Sequence, residues 1–273
     1  MQRVAPITLT RTVRNDFKWF LMHKLSALIV AHNEENMIEQ CLESVNFVDE
    51  IVVVLDRCTD RTKQITLKFN AKIIEGAWPI EGQRRHAGID ACSGDWILEV
   101  DADERISKEL ATEIQSVLPT AENGYFLIPY HNYVGQRLVV HGWGAYNGVG
   151  ATVRLFTPGC KAWGSQSVHP SVTFKGERRS LNSPMIHLVD DDIADMFARM
   201  NRDTTKAALD AVVEGKIPSL SRSIRRIFTR FFSVYVVRKG YREGAYGLAL
   251  GIYAAMYSIV VHIKCRTDAA EKK

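Results

Sequence analysis

Cysteine is scarce in this 273-residue chain, which has five. They are Cys41, Cys58, Cys92, Cys160 and Cys265. No two of them form a C-x-x-C pair, and none has the histidine spacing of a zinc site. The pattern therefore argues against structural zinc and predicts free thiols in a reducing compartment.

Three common sequence signals are also missing. The N-terminal segment has no apolar core of secretory length and no small-residue cleavage site, so we expect the body of the protein in the cytoplasm. The segment AHNEEN after the first predicted strand contains no glycine, which argues against a dinucleotide-binding site. No G-x-x-x-x-G-K-[ST] motif occurs, which excludes the usual nucleoside triphosphate loop.

Acidic residues are absent from one long segment. Residues 215–242 contain eight lysines and arginines and no aspartate or glutamate, and the cations alternate with bulky apolar side chains. Nucleic acid is a competing partner for such a segment, but we expect an anionic membrane surface and no nucleic acid. The uncharged residues 244–263 are just long enough to span a bilayer. Their glycines, tyrosines and serine favour a buried or interfacial helix over a transmembrane one.

The first 120 residues alternate between strand and helix patterns. Short apolar runs predict strands at 25–31, 50–55, 71–75 and 95–100. Two helices are predicted at about 34–45 and about 82–92. Two more are predicted to begin at N-cap residues, one at Asp60 and one at Ser107, and the latter runs through Leu118. Four strand-then-helix units in a row predict an α/β fold with a mostly parallel, doubly wound sheet. The length allows one large domain or a domain with an appendage.

Polar residues follow three of the predicted strands, at the edge where such sheets bind ligands. They are His32, Asn33 and Glu34 after the first strand, Asp56 and Arg57 after the second, and Asp101 and Asp103 after the fourth. The last two stand in LEVDADERIS and project to the same side of extended backbone. They would repel one another unless a cation lay between them. Glu104 is expected to pair with Arg105 or Lys108.

Three ordered blocks carry a resemblance to a known family: LSALIVAHNEENMIEQCLESV, DEIVVVLDRCTDRT and GDWILEVDADE. With them the chain resembles a family 2 glycosyltransferase of the GT-A fold, which implies a mixed, doubly wound sheet with a Rossmann-like N-terminal half. The downstream segments RLF, VHP, HLVDDD and GYREGAYGL are similar to bacterial lipopolysaccharide core enzymes, which add a sugar, often glucose, to an inner-core heptose. The resemblance extends over nearly all of residues 25–265.

The resemblance and the charge distribution together predict three regions. Residues 1–22 form an N-terminal extension, 23–214 a GT-A domain, and 215–273 a basic and apolar helical appendage that associates with the membrane. Within the domain, residues 23–120 form the donor half and residues 121–214 the acceptor half. The resemblance implies transfer from a nucleotide-diphosphate sugar, expected to be a UDP-hexose, to a glycolipid or lipid-linked saccharide acceptor. The expected location is the inner face of the bacterial plasma membrane, in lipopolysaccharide core or cell-surface polysaccharide biosynthesis.

The resemblance also implies a divalent cation, Mg²⁺ or Mn²⁺, at Asp103 and Asp101. Asp103 is the expected direct ligand, and Asp101 is expected to contact the ribose or a metal-bound water. Hard cations take oxygen ligands from one or two carboxylates and from substrate phosphates. The alternative is a solvated acidic turn that begins a helix. The donor-binding residues that the resemblance implies are Ala31, Asn33, Glu34, Asp56, Gln83, Arg84 and Asp101.

Two features of the expected donor site depend on single positions. The family's second strand usually ends in D-D-G-S-T-D, and here Leu55 replaces the first acid. If that acid contacts the nucleotide base, Asp56 must take over its role or selectivity for the base is relaxed.

The arginine pair Arg84 and Arg85 stands on a predicted helix, where the two side chains point about 100° apart. One of them is therefore expected to clamp phosphate oxygens and the other to be solvated.

An inverting transferase needs a base that deprotonates the acceptor hydroxyl. The segment HLVDDDI resembles the family's placing of this base, and Asp191 and Asp192 are the predicted catalytic residues there. His169 is the other candidate, although this subgroup usually has glutamate where the chain has Pro170. The aspartates have an alternative role in the first turn of a helix. His169 and His187 are alternative ligands for the metal.

Other classes of protein fit parts of the pattern. A dehalogenase-like phosphatase also has a D-x-D motif, but there it normally opens the chain and precedes a threonine. A sugar-phosphate nucleotidyltransferase shares the wound sheet but would carry a glycine-and-arginine loop near its start. A non-catalytic scaffold at the membrane is a further alternative, because Leu55 and Pro170 depart from the family pattern.

Overall fold

The structure, a computed structural model, describes residues 23–144, 150–164 and 171–267. The strands are β1 Leu25–Ala31, β2 Glu50–Asp56, β3 Lys72–Gly76, β4 Trp96–Asp101, β5 Glu104–Arg105, β6 Gly124–Val134, β7 Arg137–Val139, β8 Ala151–Phe156, β9 Lys161–Trp163, β10 Val172–Phe174, β11 Glu177–Ser180 and β12 Met185–Asp190. The helices are α1 Ile38–Ser44, α2 Thr62–Thr66, α3 Glu81–Ala91, α4 Lys108–Val117, α5 Ile193–Val213, α6 Leu220–Phe232 and α7 Ala245–Arg266. Shorter 3₁₀ or π-helical turns lie at Leu67–Phe69, Leu118–Thr120, Ser233–Val237 and Gly240–Glu243.

The first four strands form a parallel sheet in the order β3-β2-β1-β4. All seven residues of β1 are buried, because helices cover both faces. Ala27 and Ile29 pack into a core with α1 and α4, whereas Leu28 and Val30 face α3. Burial on both faces explains why these strands are continuous apolar runs. The predicted doubly wound α/β sheet is confirmed, and the four strands agree with the prediction to within one residue.

Side-chain hydrogen bonds stabilise the starts of α4 and α2. Ser107 accepts a hydrogen bond from the backbone N–H of Leu110 at 3.1 Å, as predicted for an N-cap. The Asp60 carboxylate accepts bonds from Thr62 at 3.0 and 2.6 Å and from the backbone N–H of Glu35 at 3.0 Å. The N-cap position of α2 is Arg61, one residue after the predicted Asp60, but the Asp60 carboxylate stabilises the first turn and ties it to the loop after β1. The helix predicted from residue 34 begins only at Ile38, after a turn.

The second half of the sheet is mixed. Beyond β4 the order is β8-β6-β12-β5, with β8 antiparallel to both β4 and β6, and β12 parallel to β6. The short β5 pairs with β12 in antiparallel register, His187 opposite Glu104. This topology returns β8 and β12 to the end of β4. Residues from the middle and the end of the chain therefore surround Asp101 and Asp103.

The C-terminal helices belong to a second core. Tyr253 and Ala254 of α7 pack with Met196 and Met200 of α5, and this core also takes in Trp143 from the sheet domain. The predicted boundary between residues 214 and 215 falls just after α5, yet α5 and α7 share buried side chains across it. The helical appendage and the sheet domain are thus connected through a common core.

Helix α7 is long and apolar enough to cross a membrane by length and composition, with a mean hydropathy of 1.6 over its most apolar window. However, 56% of that window is buried inside the protein. Buried core helices also have this length and composition, and the burial agrees with the expectation of a buried or interfacial helix.

Candidate active site

Asp103 and His187 form the open part of the site. Asp103 lies between β4 and β5, and its side chain is 42% exposed. Its Oδ2 lies 3.5 Å from Nε2 of His187 on β12. The other ring nitrogen, Nδ1, lies 2.9 Å from Oδ1 of Asn132, and the Tyr130 ring packs against the imidazole with 5.1 Å between centroids. These contacts fix the ring with Nε2 directed at the Asp103 carboxylate.

The pKa of His187 depends on two opposing effects. Burial lowers it, but the hydrogen bond and the negative charge of Asp103 outweigh burial, so the net pKa is raised above its ordinary value. Without a bound cation, the pair therefore holds a proton more firmly than a free imidazole does. A divalent cation that binds between the two side chains has to displace that proton.

Asp101 is held in a different way. Its Oδ1 accepts a hydrogen bond from Nη1 of Arg85 at 2.7 Å, and its Oδ2 accepts one from Nη2 of Arg154. Burial alone would raise the pKa of Asp101, but the two guanidinium groups outweigh it and hold the pKa far below its usual range. The charge of this aspartate is thus balanced by the protein itself.

A buried ion-pair cluster lies beneath Asp101. Its members are Arg85, Arg154, Lys161, Glu99, Asp101 and Glu104. Glu99 is fully buried and accepts hydrogen bonds from Nζ of Lys161 at 2.6 Å and from Nη1 of Arg85 at 2.7 Å. Burial would raise the pKa of Glu99, but the cations outweigh it and lower the pKa. Three cations offset three anions, so the cluster is neutral as a unit.

Glu104 belongs to this cluster and not to the surface. Its side chain is 1% exposed and accepts hydrogen bonds from the Tyr130 hydroxyl at 2.6 Å and from Arg154 at 2.5 Å. The expectation that Glu104 pairs with Arg105 or Lys108 is therefore wrong. The physical reason is the return of β8, which brings a buried guanidinium to an otherwise uncompensated buried carboxylate.

The two arginines of α3 also differ from expectation. Arg85 is buried in the cluster, with its guanidinium carbon 5.3 Å from the centre of the Trp163 ring, so the expectation that one of the pair is solvated is wrong. Arg84 is partly exposed and its Nη1 lies 3.3 Å from Oδ2 of Asp56. The Nε of Arg84 is buried and has no hydrogen-bond partner among the described residues. The Nε of Arg85 is likewise buried without such a partner, but its guanidinium lies inside the ion pairs with Glu99 and Asp101, whereas Arg84 is partly exposed beside Asp56.

The end of β2 is organised by Asp56, which is 1% exposed. Its carboxylate accepts hydrogen bonds from Arg57 at 2.9 and 2.8 Å, from the backbone N–H of Trp78 at 3.2 Å and from Arg84. Burial would raise the pKa of Asp56, and these hydrogen bonds lower it overall. Leu55 is buried in the core, so Asp56 is the acid present at this end of the strand. Gln83 is exposed on α3.

The end of β1 supplies the remaining predicted donor residues. Ala31 is buried, and Asn33 takes the left-handed conformation with φ 57° while its Oδ1 accepts a bond from the backbone N–H of Thr59 at 2.8 Å. Burial raises the pKa of Glu34 to about 7, with further repulsion from Asp103, Asp60 and Asp101. Glu34 is therefore electrostatically coupled to the open part of the site.

The three consecutive aspartates after β12 take three different roles. Asp190 is buried and forms a double hydrogen bond with Arg199, both at 2.8 Å. Asp192 is the N-cap of α5 and accepts a bond from the backbone N–H of Asp195 at 2.8 Å, which agrees with the alternative role of these residues in a helix turn. Asp191 is exposed and lines a pocket of about 650 Å³ with Arg137. The other candidate base, His169, lies outside the described residues.

A cation would fit at Asp103 and His187. Carboxylate oxygen and imidazole nitrogen suit Mn²⁺ or Mg²⁺, and Mg²⁺ in particular often takes only one or two protein ligands besides substrate phosphates. No group of three or more Asp, Glu, His or Cys side chains placed to hold a metal occurs in the described part of the chain. Such a cation would depend on the substrate or on water for its remaining ligands. Asp101, whose two oxygens face arginines, is less suited to direct coordination.

Sequence reasoning did not assign a role to Arg154, Lys161, Glu99 or Tyr130. A signal was present, because Glu99 interrupts the apolar strand WILEVD and Arg154 interrupts ATVRLF. A charged residue in the middle of a buried strand has to be paired. Which residues pair is set by the strand order, and the local sequence does not contain that information.

The fold and the arrangement of charged side chains at the ends of its strands define an α/β protein of the GT-A type. The family model of glycosyl transferase family 2 matches residues 26–176, more than half of the chain. The chain belongs to this family and is a glycosyltransferase. The predicted resemblance and the predicted class of enzyme are both confirmed.

Curated relatives extend the match over most of the chain. An uncharacterized glycosyltransferase of Rickettsia bellii is 29% identical over 80% of this chain and 78% of its own. The lipopolysaccharide core biosynthesis glycosyltransferase LpsC of Rhizobium meliloti is 27% identical over 86% of this chain and 88% of its own.

Among solved structures, glucosyl-3-phosphoglycerate synthase from Mycobacterium tuberculosis, in complex with Mn²⁺, UDP and glucosyl-3-phosphoglycerate, is similar to part of the chain. The two are 23% identical with a TM-score of 0.35, and the match covers 41% of this chain and 45% of that one.

Proposed function

We propose that the protein is a metal-dependent inverting glycosyltransferase that moves a sugar from a nucleotide-diphosphate sugar to a glycolipid acceptor. A UDP-hexose is the proposed donor. The observation that carries the proposal is the exposed Asp103 carboxylate, which faces Nε2 of His187 at 3.5 Å at the carboxyl end of the sheet. In wound sheets this edge is where ligands bind.

Asp103 and His187 would hold Mg²⁺ or Mn²⁺. When bound, the cation would neutralise the diphosphate and stabilise the departing nucleoside diphosphate. Asp101 has a supporting role in this proposal. Arg85 and Arg154 keep it ionised and fixed in orientation, so that it can accept a hydrogen bond from the ribose or from a metal-bound water.

The nucleotide would lie along the ends of β1 and β2. Asn33 and Glu34 lie on one side of this edge, and Asp56 and Arg84 lie on the other. The buried, unpaired Nε of Arg84 is a donor that a phosphate oxygen would satisfy. Ala31 and Gln83 complete the proposed donor set, Ala31 through its backbone at the end of β1.

Asp191 is our proposed base. It is the member of the aspartate triplet that neither forms the buried pair with arginine, as Asp190 does, nor caps α5, as Asp192 does. Its pocket also contains Arg137 and Tyr246, a cation and an aromatic ring of the kind that contact saccharide and phosphate groups. A carboxylate there would accept the proton of the acceptor hydroxyl as that oxygen attacks the sugar.

The relatives and the charge pattern support the proposed acceptor and pathway. Similarity to LpsC supports a role in lipopolysaccharide core or cell-surface polysaccharide assembly. A glycolipid or lipid-linked saccharide acceptor would lie at a membrane, and the basic residues 215–242 would hold the enzyme at its anionic surface. We place the enzyme at the cytoplasmic face of the plasma membrane, where nucleotide sugars are available.

The experiment that tests the proposal is a panel of nucleotide sugars, UDP-glucose first, measured by thermal shift with Mn²⁺, with Mg²⁺ and with a chelator. We expect one donor to raise the melting temperature and the chelator to abolish that rise. If no donor stabilises the protein under any of the three conditions, the assignment of the donor site is wrong. A shift that persists in chelator would remove the metal from the proposal.

A further inference from the structure

Helices α6 and α7 form an antiparallel hairpin. Near one end, the carbonyl oxygen of Pro218, just before α6, lies 2.7 Å from Nδ1 of His262 on α7. Near the other end, Gly251 lies so close to the Phe231 ring that a Cβ there would come within 3.1 Å of it. The two helices therefore lie side by side along their length.

The outer side of this hairpin is apolar. Its exposed side chains are Leu220, Ile224, Phe228 and Phe232 on α6 and Leu248, Ile252, Met256 and Ile263 on α7. We call this set the hairpin face. Phe228 is 70% exposed and Phe232 57%. Between the helices runs an apolar groove of about 780 Å³, with Ile227, Phe231 and Ala255 among its walls. Isolated exposed apolar residues are common, but a continuous face of this kind marks a binding surface.

Helix α6 also carries cations. At 100° per residue, Arg225 borders the apolar stripe, whereas Arg222 and Arg226 lie on the side of the helix away from it. None of the three forms an ion pair with any residue that the structure describes. Residues 215–267 contain ten lysines and arginines and a single acid, Glu243. That acid is buried and accepts hydrogen bonds from the backbone N–H groups of residues 140 and 141. The segment that carries the apolar face is therefore strongly positive, which favours a partner that is both apolar and negatively charged.

The inner side of α7 is anchored to the polar helix α5. Tyr253 packs over Arg199, which pairs with the buried Asp190. Nζ of Lys264 lies 2.8 Å from the carbonyl oxygen of Asn201 and 2.7 Å from Oγ1 of Thr205. If α7 crossed a bilayer, these charged contacts would be broken or carried into hydrocarbon, which is costly. The helix can meet lipid on its outer side only.

We propose that the hairpin face docks in the plane of an anionic phospholipid bilayer and that α7 does not cross it. The apolar side chains enter the acyl boundary, the groove accommodates acyl chain, and Arg222, Arg225 and Arg226 bind lipid phosphates. An apolar face on a helix whose other side is basic is the pattern of helices that lie in the membrane interface, and long arginine side chains can reach the headgroups from there. This inference rests on the membrane association in the proposed function and specifies its geometry. Because the surface does not include the proposed donor site, vesicle binding tests it separately from the reaction.

The first test is co-sedimentation with vesicles of phosphatidylcholine alone and of phosphatidylcholine with phosphatidylglycerol. We expect binding to the anionic vesicles, reduced about 100-fold when Arg222, Arg225 and Arg226 are replaced by Gln. Phe228→Ser with Phe232→Ser should reduce binding more than about tenfold. The matched controls remove exposed groups elsewhere and should bind like the parent protein. They are Lys108→Gln, Lys175→Gln and Arg178→Gln as one variant, and Leu67→Ser as another.

The second test measures how deep three positions of α7 lie in the bilayer. Leu248, Met256 and Ile263 are replaced singly by Trp, and quenching by lipids labelled at different depths is measured after subtraction of the parent signal. The first and last positions are about 22 Å apart along the helix. Docking in the plane predicts the same shallow depth for all three. A deep Met256→Trp between two shallow ends would show a crossing helix and overturn the proposal.

If the protein does not bind anionic vesicles, the hairpin face would instead be covered by a second copy of the chain. Sedimentation velocity of the parent and of the Phe228→Ser, Phe232→Ser variant distinguishes this case. A dimer that dissociates in the variant, together with no vesicle binding, would assign the face to a second copy of the chain and refute lipid docking. Vesicle binding that is unchanged in the arginine variant would also refute it.

Discussion

Asp101 in the buried ion-pair cluster and Asp103 at the open edge of the site have a single residue between them, yet their charges are balanced in different ways. In the cluster, Asp101 faces two arginines and its charge is neutralised within the fold. At the edge, Asp103 is exposed and faces one histidine. The difference supports our proposal that the first aspartate of the motif serves orientation and that the second binds a ligand.

The largest expected effect comes from Asp103→Ala. Transfer from the donor identified by thermal shift should fall about 10⁴-fold, because the proposed cation loses its carboxylate ligand. The unfolding free energy should change little, since Asp103 is exposed. Release of nucleoside diphosphate and urea unfolding measure the two effects. Normal turnover in the variant would refute the assignment of Asp103.

The second prediction concerns the cluster. Arg154→Met leaves Asp101 and Glu104 without their shared guanidinium and should lower the unfolding free energy by about 3–5 kcal/mol. Arg202→Met, which removes a partner of Asp195 where both side chains are exposed, serves as control and should cost less than about 1 kcal/mol in urea unfolding. Equal losses in the two variants would mean that the cluster is not a structural unit.

The third prediction separates two neighbouring aspartates. Asp191→Asn should reduce transfer about 100-fold without loss of stability, as expected for a base. Asp192→Ala should instead reduce stability by about 1 kcal/mol, because α5 loses its N-cap. Steady-state kinetics and thermal unfolding of both variants measure these effects. The reverse pattern would move the base to Asp192, and unchanged kinetics in both would exclude the pair.

The smallest effect concerns Glu34, whose pKa is raised from 4.5 to about 7. Between these pH values the folded protein keeps a proton that the unfolded chain has lost, so stability from this group is present at low pH and lost as pH rises through about 7. Glu34→Gln should therefore melt about 2 °C above the parent protein at pH 8 and at nearly the same temperature at pH 4.5. Calorimetry at the two pH values, with Glu35→Gln as control, measures this. A pH-independent difference would contradict it.

The sequence predicted the parallel half of the sheet well, because strands buried on both faces are continuous apolar runs with turn residues between them. It also placed Asp101 and Asp103 at the carboxyl edge and identified the family. It did not predict the partners of Glu104 and Arg85. Glu104 pairs with Arg154, which comes from a strand about fifty residues away and lies beside β4 because β8 pairs with it. Arg85 pairs with Glu99 and Asp101 because α3 packs its buried side against the sheet. Patterns along the chain do not encode such pairings.

The central claim is that the open edge, and not the cluster, holds the cation. Titration of Mn²⁺ into the donor-loaded protein by isothermal calorimetry tests it directly, with Asp103→Ala and His187→Gln as variants. Our account predicts that each variant weakens Mn²⁺ binding by about 10- to 100-fold. Mn²⁺ affinity that is unchanged in both variants would contradict it.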